Sequence, residues 1–417
     1  MKIEIKNIGK VKEASVDIRG ITIIAGPNDT GKSTVSKTLF SVFNSFYHLQ
    51  DKIEMEKHES LYRVLTVAMY DNDRNVSFKK ISEFVKNLMR EKKNNSEQGL
   101  DDILDMCITP LSENDKSLFR KSYENYREKI QDVLNIPDEE FFHVAMNRYL
   151  SRSFNSQINN IFTSKPGTII LSIKERPMEI EVKDDKVVSV SNKLSLNTEA
   201  IYLDNPFILD VFGDTYLRNA SYNDLHELHL LRKLRLDEPD SEYIREILSS
   251  KKLDKVYANL NEVFSGQISR SKEIGWAQIL PNAKKPLNVR NLSAGLKTFA
   301  IIKTLLLNGS IEENGLLILD EPEIHLHPKW QSVFAKLIVE LQRAFGLHIL
   351  LNSHSPYFLH AIEVFSEKAG IADKCKYYFS YNEKRDSFIK DVTQNREIIY
   401  ETLAAPLQDL ENERYAD

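Results

Sequence analysis

The chain is short of cysteine, of long apolar runs and of net charge, and each shortage removes a class of protein. Only two cysteines, Cys107 and Cys375, occur in 417 residues, far apart and without a CxxC partner. That excludes a zinc ribbon or a disulfide framework and suits a reducing compartment. No apolar run approaches the roughly 18 to 20 residues a membrane helix needs. The opening MKIEIKNIGK alternates apolar and polar residues instead of building a signal peptide. A cytoplasmic protein with no membrane partner is therefore expected. A formal net charge of -5 argues against coating nucleic acid by bulk charge. The basic pairs Lys79-Lys80, Lys92-Lys93, Lys251-Lys252 and Lys284-Lys285 have no aromatics between them. They read as solvated helix ends or loops, so any nucleic-acid contact is expected to be indirect. Repeats of fixed period and low-complexity tails are missing too.

What is present is an ordinary core-forming composition, 41% hydrophobic and 28% charged, at a length that suggests two lobes with an inserted module. The first 25 residues read as strands over 2–8, 14–18 and 21–25, with a helix starting at Lys32. From 49 to 161 the periodicity is helical, broken by a polar stretch, 90–99, read as a loop. Between 168 and 203 the runs TIILSIK, MEIEV, KVVSVS and EAIYL predict short strands of an antiparallel flank. Helices return over 222–264, then strands near 276–280 and 287–290. From 292 onward helices alternate with the apolar strands 316–319 and 347–351, which is α/β organisation. The end reads as a helix, a hairpin (CKYYFSY, then SFIKDV) and a polar tail.

Four motifs carry chemistry. Gly26-Pro27-Asn28-Asp29-Thr30-Gly31-Lys32-Ser33-Thr34 is a G-x-x-x-x-G-K-S loop between a buried strand and a helix. Its glycines let backbone N–H groups surround a phosphate, Lys32 reaches the β and γ phosphates of a nucleotide, and Ser33 ligates magnesium. Asp29 is an oddity, a carboxylate in an anion-binding loop; its side chain is expected to point outward, with Asn28 or Asp29 taking a left-handed backbone. In LLILDEP a buried strand ends at Asp320, where a carboxylate can hold the magnesium shell, and Glu321 can polarise an attacking water. Asn291-Leu292-Ser293-Ala294-Gly295-Leu296-Lys297 precedes a helix about 25 residues upstream of Asp320. The strand ending in Asn352-Ser353 delivers His354 to the same sheet edge, about 34 residues beyond Asp320.

LSAGLK resembles the LSGGQ signature of ABC ATPases, at the distance from LILDEP that this family uses. Together with the N-terminal strand pair and the string EPEIHLHP, the motifs resemble the RecF, SMC and OLD-like branch of ABC-type P-loop ATPases, over roughly 1–45 and 270–365. The resemblance implies an α/β head with a mixed sheet, an antiparallel β flank and a helical insertion. Taken with the periodicities of the middle, which the resemblance leaves unexplained, the chain divides into an N-terminal lobe (1–48), a helical insertion (49–161), β segments completing the head (162–220), a helical segment (221–270) and a C-terminal lobe (271–417). The resemblance implies ATP and Mg2+ as cofactors, Glu321 and His354 as catalytic residues, and Ser33 and Asp320 on the metal. Ser293 and Gly295 would contact the γ-phosphate held by a second protomer, although Ala294 replaces a glycine and Leu296 the glutamine. His325 and His327 become candidates for the dimer seam; their H-x-H spacing also suggests metal, without a third ligand in support. Asp204-Asn205-Pro206 could fill the glutamine-loop position. His226-Glu227-Leu228-His229 has the wrong spacing for a zinc protease and reads as a helix face.

The interval of about 258 residues between the phosphate loop and Ser293 contains β segments and cannot hold an SMC-length coiled coil. The roughly 60 residues after His354 hold no D-x-D pair, so no Toprim nuclease is expected in this chain. Heads of this kind resemble ATPase subunits of bacterial antiphage systems, Septu-type first (paired with an HNH nuclease) and PARIS-type second (paired with a Toprim effector). The expectation is an ATP-closed homodimer that controls a separately encoded effector. A RecF-like DNA-binding repair ATPase and a nucleotide-locked scaffold with little turnover are the alternatives.

Overall fold

A computed structural model describes the chain except residues 71–76, 96–97, 193–195, 212–224, 236–255, 272–273 and 416–417. Two compact units result, one of residues 1–47 and 146–417, the other of 48–145. The first unit is built on an eleven-stranded sheet. Its strands are β1 (Lys2–Ile8), β2 (Val11–Asp17), β3 (Ile21–Ala25), β4 (Gly167–Ile173), β5 (Arg176–Lys183), β6 (Lys186–Val190), β7 (Ala200–Leu203), β11 (Leu316–Asp320), β12 (His348–Ser353), β13 (Cys375–Glu383) and β14 (Asp386–Asp391). They lie in the order β6-β5-β4-β1-β2-β14-β13-β3-β12-β11-β7. The five strands from β13 to β7 are mutually parallel, and β6 to β2 form an antiparallel flank. This is the α/β mixed sheet that the sequence pattern predicts.

The apolar content of each strand explains its place. Every residue of β3, β7 and β11 is buried, as expected of strands covered on both faces. One face of this block packs Ile23, Leu319 and Leu351 against Phe299, Phe334 and Phe358 of the helices Ala294–Leu307, Pro328–Phe345 and Pro356–Lys368. Side chains alternate along a strand, so Tyr202 of β7 faces the other way, where Phe40 of the helix Lys32–Phe46 meets it. The flank strands β1 and β2 instead alternate buried and accessible positions, so their register is set by a single buried face.

Several expectations shift. EAIYL does not join the antiparallel flank: as β7 it lies parallel to β11 at the far edge, because all four of its residues are apolar enough to be covered twice. The terminal hairpin, read without a place in the fold, enters the main sheet, where β13 lies directly beside β3. The polar tail is a helix, Glu397–Tyr415. Predicted strands near 276–280 and 287–290 are β9 (Gly275–Ile279) and β10 (Leu287–Asn288), which with β8 (Gln267–Ser271) form a separate three-stranded sheet in the order β10-β9-β8. Much of the helical stretch read over 222–264 lies outside the described residues; Leu225–Leu234 is helical.

The second unit consists of the helices Leu49–Tyr70, Phe78–Asn94, Leu100–Ile108 and Glu113–Asn135, with the start of Asp138–Ser153. Its own core includes Leu65, Val85, Leu88, Ile103 and Ile130, with Phe84 stacked on Phe119 at 4.2 Å. The insertion read as 49–161 ends as a compact unit at Ala145, because Met146, Leu150 and Ser153 are buried in the first unit, where the Ser41 hydroxyl donates to Ser153 Oγ at 2.8 Å. Helix also runs through the first half of the polar 90–99 stretch, to Asn94, where the Asn95 side chain donates to Glu91 O at the C-terminus. Both cysteines are buried and unpaired, and burial pushes the Cys107 thiol up to about 11. Among the described residues no helix is long and apolar enough to cross a membrane.

One strand residue gives the fold a pH dependence. Burial, reinforced by the chain's amino terminus, holds His348 below its ordinary value of 6.5, against a smaller opposing hydrogen bond to the Ile18 backbone. The unfolded chain thus takes up a proton that the native state resists. The contribution is complete above about pH 6.5 and is lost as pH falls below it. Urea midpoints measured at pH 7.5 and 5.5 should fall further for wild type than for His348→Gln; equal falls would remove His348 as the cause.

Candidate functional site

The phosphate loop joins β3 to the helix Lys32–Phe46, and its glycines are required by close neighbours. A Cβ on Gly26 would sit 2.2 Å from Ser380 O of β13, and Gly31 has φ 87° with Val11 Cγ2 2.6 Å from where a Cβ would be. The hairpin also ties the loop from behind: the Ser380 hydroxyl donates to Thr30 O at 2.6 Å and Asn382 Nδ2 to Asp29 O at 3.2 Å. Thr30 in turn donates to Pro27 O at 2.8 Å. Asp29 takes the left-handed backbone (φ 62°), and its exposed carboxylate is paired outward with Lys10. The acid therefore points away from the anion cradle. Asn28 is exposed, and Thr34 packs beside Gly9.

Lys32 is buried and donates to Gly26 O at 3.0 Å and Pro27 O at 2.8 Å. Burial pushes its pKa down, while Glu321 and Asp320 pull the other way. Its Nζ lies 3.7 Å from Glu321 Oε1, and His354 Nδ1 lies 3.3 Å from that same oxygen without hydrogen-bond alignment. Glu321 itself has φ 51°, a strained backbone for a non-glycine residue, held by its N–H donating to Asn352 O at 3.0 Å. Such strain clusters at functional sites.

Asp320 closes β11 as a buried carboxylate. Burial raises its pKa, and neutral donors oppose the rise: Asn352 Nδ2 donates to Oδ1 at 2.8 Å, the Tyr202 hydroxyl to Oδ2 at 2.7 Å, and Ser33 is hydrogen-bonded to the same group. A hydroxyl and a carboxylate are hard oxygen donors, the set a magnesium ion takes when substrate phosphates complete its shell. Ser33 and Asp320 could hold it. Among the described residues there is no cluster of three or more His, Cys, Asp or Glu suited to a metal, which separates this arrangement from an all-protein cage.

Three residues at this centre went unread in the sequence: Tyr202, Asn352 and Glu323. Glu323 is buried, and its Oε1 accepts from the Ser353 hydroxyl and from His354 N at 3.3 Å, joining the two loops that carry Glu321 and His354. A polar residue inside each apolar run, Tyr in AIYL and Asn in ILLNS, is the signal that could have exposed the other two.

The signature residues have partners of their own. Ser293 is the N-cap of the helix Ala294–Leu307, accepting from Leu296 N at 3.5 Å. Gly295 is packed against the backbone of His325, 3.0 Å from where its Cβ would be. Lys297 is buried and paired with Asp210 Oδ1 at 2.6 Å. His327 caps the helix Pro328–Phe345 by accepting from Lys329 N at 3.3 Å, and His325 meets the Phe207 ring edge-on at 5.4 Å. Asp204 lies just beyond the end of β7, 2.8 Å from His226 Nε2. His226 and His229 lie on the helix Leu225–Leu234, as read, on a face turned inward: His226 is buried and stacked on Tyr202 at 4.4 Å, and His229 Nε2 lies 2.8 Å from Glu199.

A family profile described as AAA ATPase domain matches residues 1–359. The chain is 23% identical over 418 aligned positions to the retron Vc95 probable ATPase of Vibrio cholerae serotype O1 biovar El Tor, covering 90% of this chain and 73% of that one. It is 31% identical over 88 residues to the retron Ec83 probable ATPase of Escherichia coli, covering 18% of this chain and 16% of that one. These relatives are retron ATPases, not the Septu- or PARIS-type proteins to which the sequence first pointed. Among solved structures, the SMC head domain from Thermotoga maritima is 12% identical with a TM-score of 0.37, covering 94% of this chain and 98% of that one. An Smc head bound to the C-winged helix domain of ScpA gives a TM-score of 0.42 at 12% identity, covering 95% and 98%. Scores this low carry no weight for function. The profile match spans most of the chain, and on that ground the protein belongs to the AAA ATPase domain family.

Proposed function

We propose that this chain binds MgATP in the loop Gly26–Thr34 and hydrolyses it as a closed dimer that controls a separately encoded effector. The observation that carries the reading is the convergence of Lys32, His354 and Glu321, with Asp320 and Ser33 hydrogen-bonded beside them. Lys32 would leave the loop carbonyls for the β and γ phosphates. Glu321 would accept a proton from the water that attacks the γ-phosphorus as the bond to the ADP oxygen breaks. His354 would hold Glu321 and the γ-phosphate in register. Magnesium, when bound, supplies charge neutralisation at the phosphates.

The dimer is proposed from the signature. Ser293 and Gly295 begin a helix and could offer N–H donors to a phosphate. An isologous pair in which each Ser293 completes the other chain's site satisfies both copies. The separately encoded effector and a role in antiphage defence are proposed from the motifs' resemblance to antiphage ATPase subunits, and the relative named retron Vc95 probable ATPase supports a defence-associated ATPase.

Mixing Lys32→Ala with Ser293→Arg protein tests the shared site, because the heterodimer has one site with both defects and one with neither. Two inactive variants should recover roughly a quarter of wild-type ATPase activity at equal mixing. A monomer with full turnover at saturating ATP would refute the dimer.

A further inference from the structure

Asp320 is oriented by a residue from a different strand, whose ring is itself locked in place. Tyr202 sits on β7, in register with Ile318 of β11, and is fully buried. Its hydroxyl donates to Asp320 Oδ2 at 2.7 Å, while Asn352 holds Oδ1 at 2.8 Å. The Tyr202 ring packs in a cluster with Phe40, 5.9 Å away and tilted, and His226, stacked at 4.4 Å with 27° between the planes, and these two rings also meet each other edge-on at 6.1 Å. His226 is anchored in turn by Asp204 at 2.8 Å. A fully buried tyrosine packed in such a cluster cannot swing its hydroxyl away from the carboxylate without repacking the core.

The chemistry of that hydrogen bond decides what it does. A carboxylate has about four lone-pair sites, so a donor on each oxygen fixes the plane of the group and leaves the remaining lone pairs for a cation. Partners behind a metal ligand commonly set metal affinity by tenfold or more through such orientation.

We propose that Tyr202, clamped by His226, is a positioning residue that sets the affinity of the Asp320 and Ser33 site for its divalent cation. The inference rests on the MgATP reading above. It assigns the buried His226 to a positioning task, in which it touches neither nucleotide nor cation.

Tyr202→Phe keeps the ring and removes the hydroxyl. The half-saturating Mg2+ concentration for ATPase activity should rise about tenfold, with kcat at saturating Mg2+ falling much less. Mn2+ binding in the presence of ATP, followed by the loss of the free-ion electron paramagnetic resonance signal, should weaken by a similar factor. ATP affinity in excess EDTA should hold steady. His226→Gln, which keeps a donor for Asp204 but loses the stacked ring, should shift cation affinity in the same direction by a smaller factor, and it serves if Tyr202→Phe folds poorly. Unshifted cation affinity in folded variants, or an equal loss of ATP affinity in EDTA, overturns the proposal while the MgATP reading stands. Absence of any Mg2+-dependent ATP binding by wild type overturns both.

Discussion

Glu321→Gln is expected to lower kcat for ATP hydrolysis by about 100-fold or more, the share that a positioned general base contributes, while leaving ATP affinity within a few-fold of wild type. Its Oε1 lies between Lys32 Nζ at 3.7 Å and His354 Nδ1 at 3.3 Å, so the carboxylate stands where cationic and polar groups meet. The amide keeps the shape of the side chain and adds no backbone demand beyond the one Glu321 already meets at φ 51°. It cannot accept a proton from water, and Asp320, the proposed cation ligand, is untouched. ATP should then persist, and light scattering after gel filtration should show a nucleotide-dependent dimer that outlasts the wild-type one. Turnover within about threefold of wild type, well short of that general-base share, would remove Glu321 from the role of base.

Lys32→Ala is expected to weaken MgATP binding by about a hundredfold, since each charge-assisted hydrogen bond contributes roughly 1.5–3 kcal/mol and the ammonium would face two phosphates. Lys32 is nearly enclosed, with burial already pushing its pKa down. Its charge is therefore held at a desolvation cost that phosphate contacts would offset. The loop backbone loses only the contacts from Nζ to Gly26 O and Pro27 O and keeps the support of Ser380 and Asn382 from β13. A fold intact by circular dichroism with nucleotide binding lost by calorimetry is the expected pair of results. Unchanged affinity would show that nucleotide binds elsewhere.

The motif residues were legible where chemistry restricts the residue type within a few positions. Only glycine tolerates the contacts at positions 26 and 31, and only an apolar run ending in acid gives a buried strand that delivers Asp320 to the sheet edge. Asp29 was also read correctly as an outward carboxylate on a left-handed backbone, and the structure supplies its partner, Lys10. The strand pairing was less legible. EAIYL and the terminal hairpin have ordinary strand patterns that do not name their neighbours, and partners distant in sequence decided their places: β7 beside β11, and β13 beside β3.

By itself the sequence determined the phosphate loop, the acidic strand end and the histidine strand end, because each depends on local backbone freedom and hydrophobic burial within about ten residues. The tertiary structure alone decided which groups surround Asp320. Tyr202 precedes it by 118 residues, Asn352 follows it by 32, and they meet its two oxygens only because parallel pairing sets β7 and β12 on either side of β11. It likewise decided that His226 is a buried brace for Tyr202 and Asp204, since a helical H-E-x-H string does not specify the strand its histidines will meet.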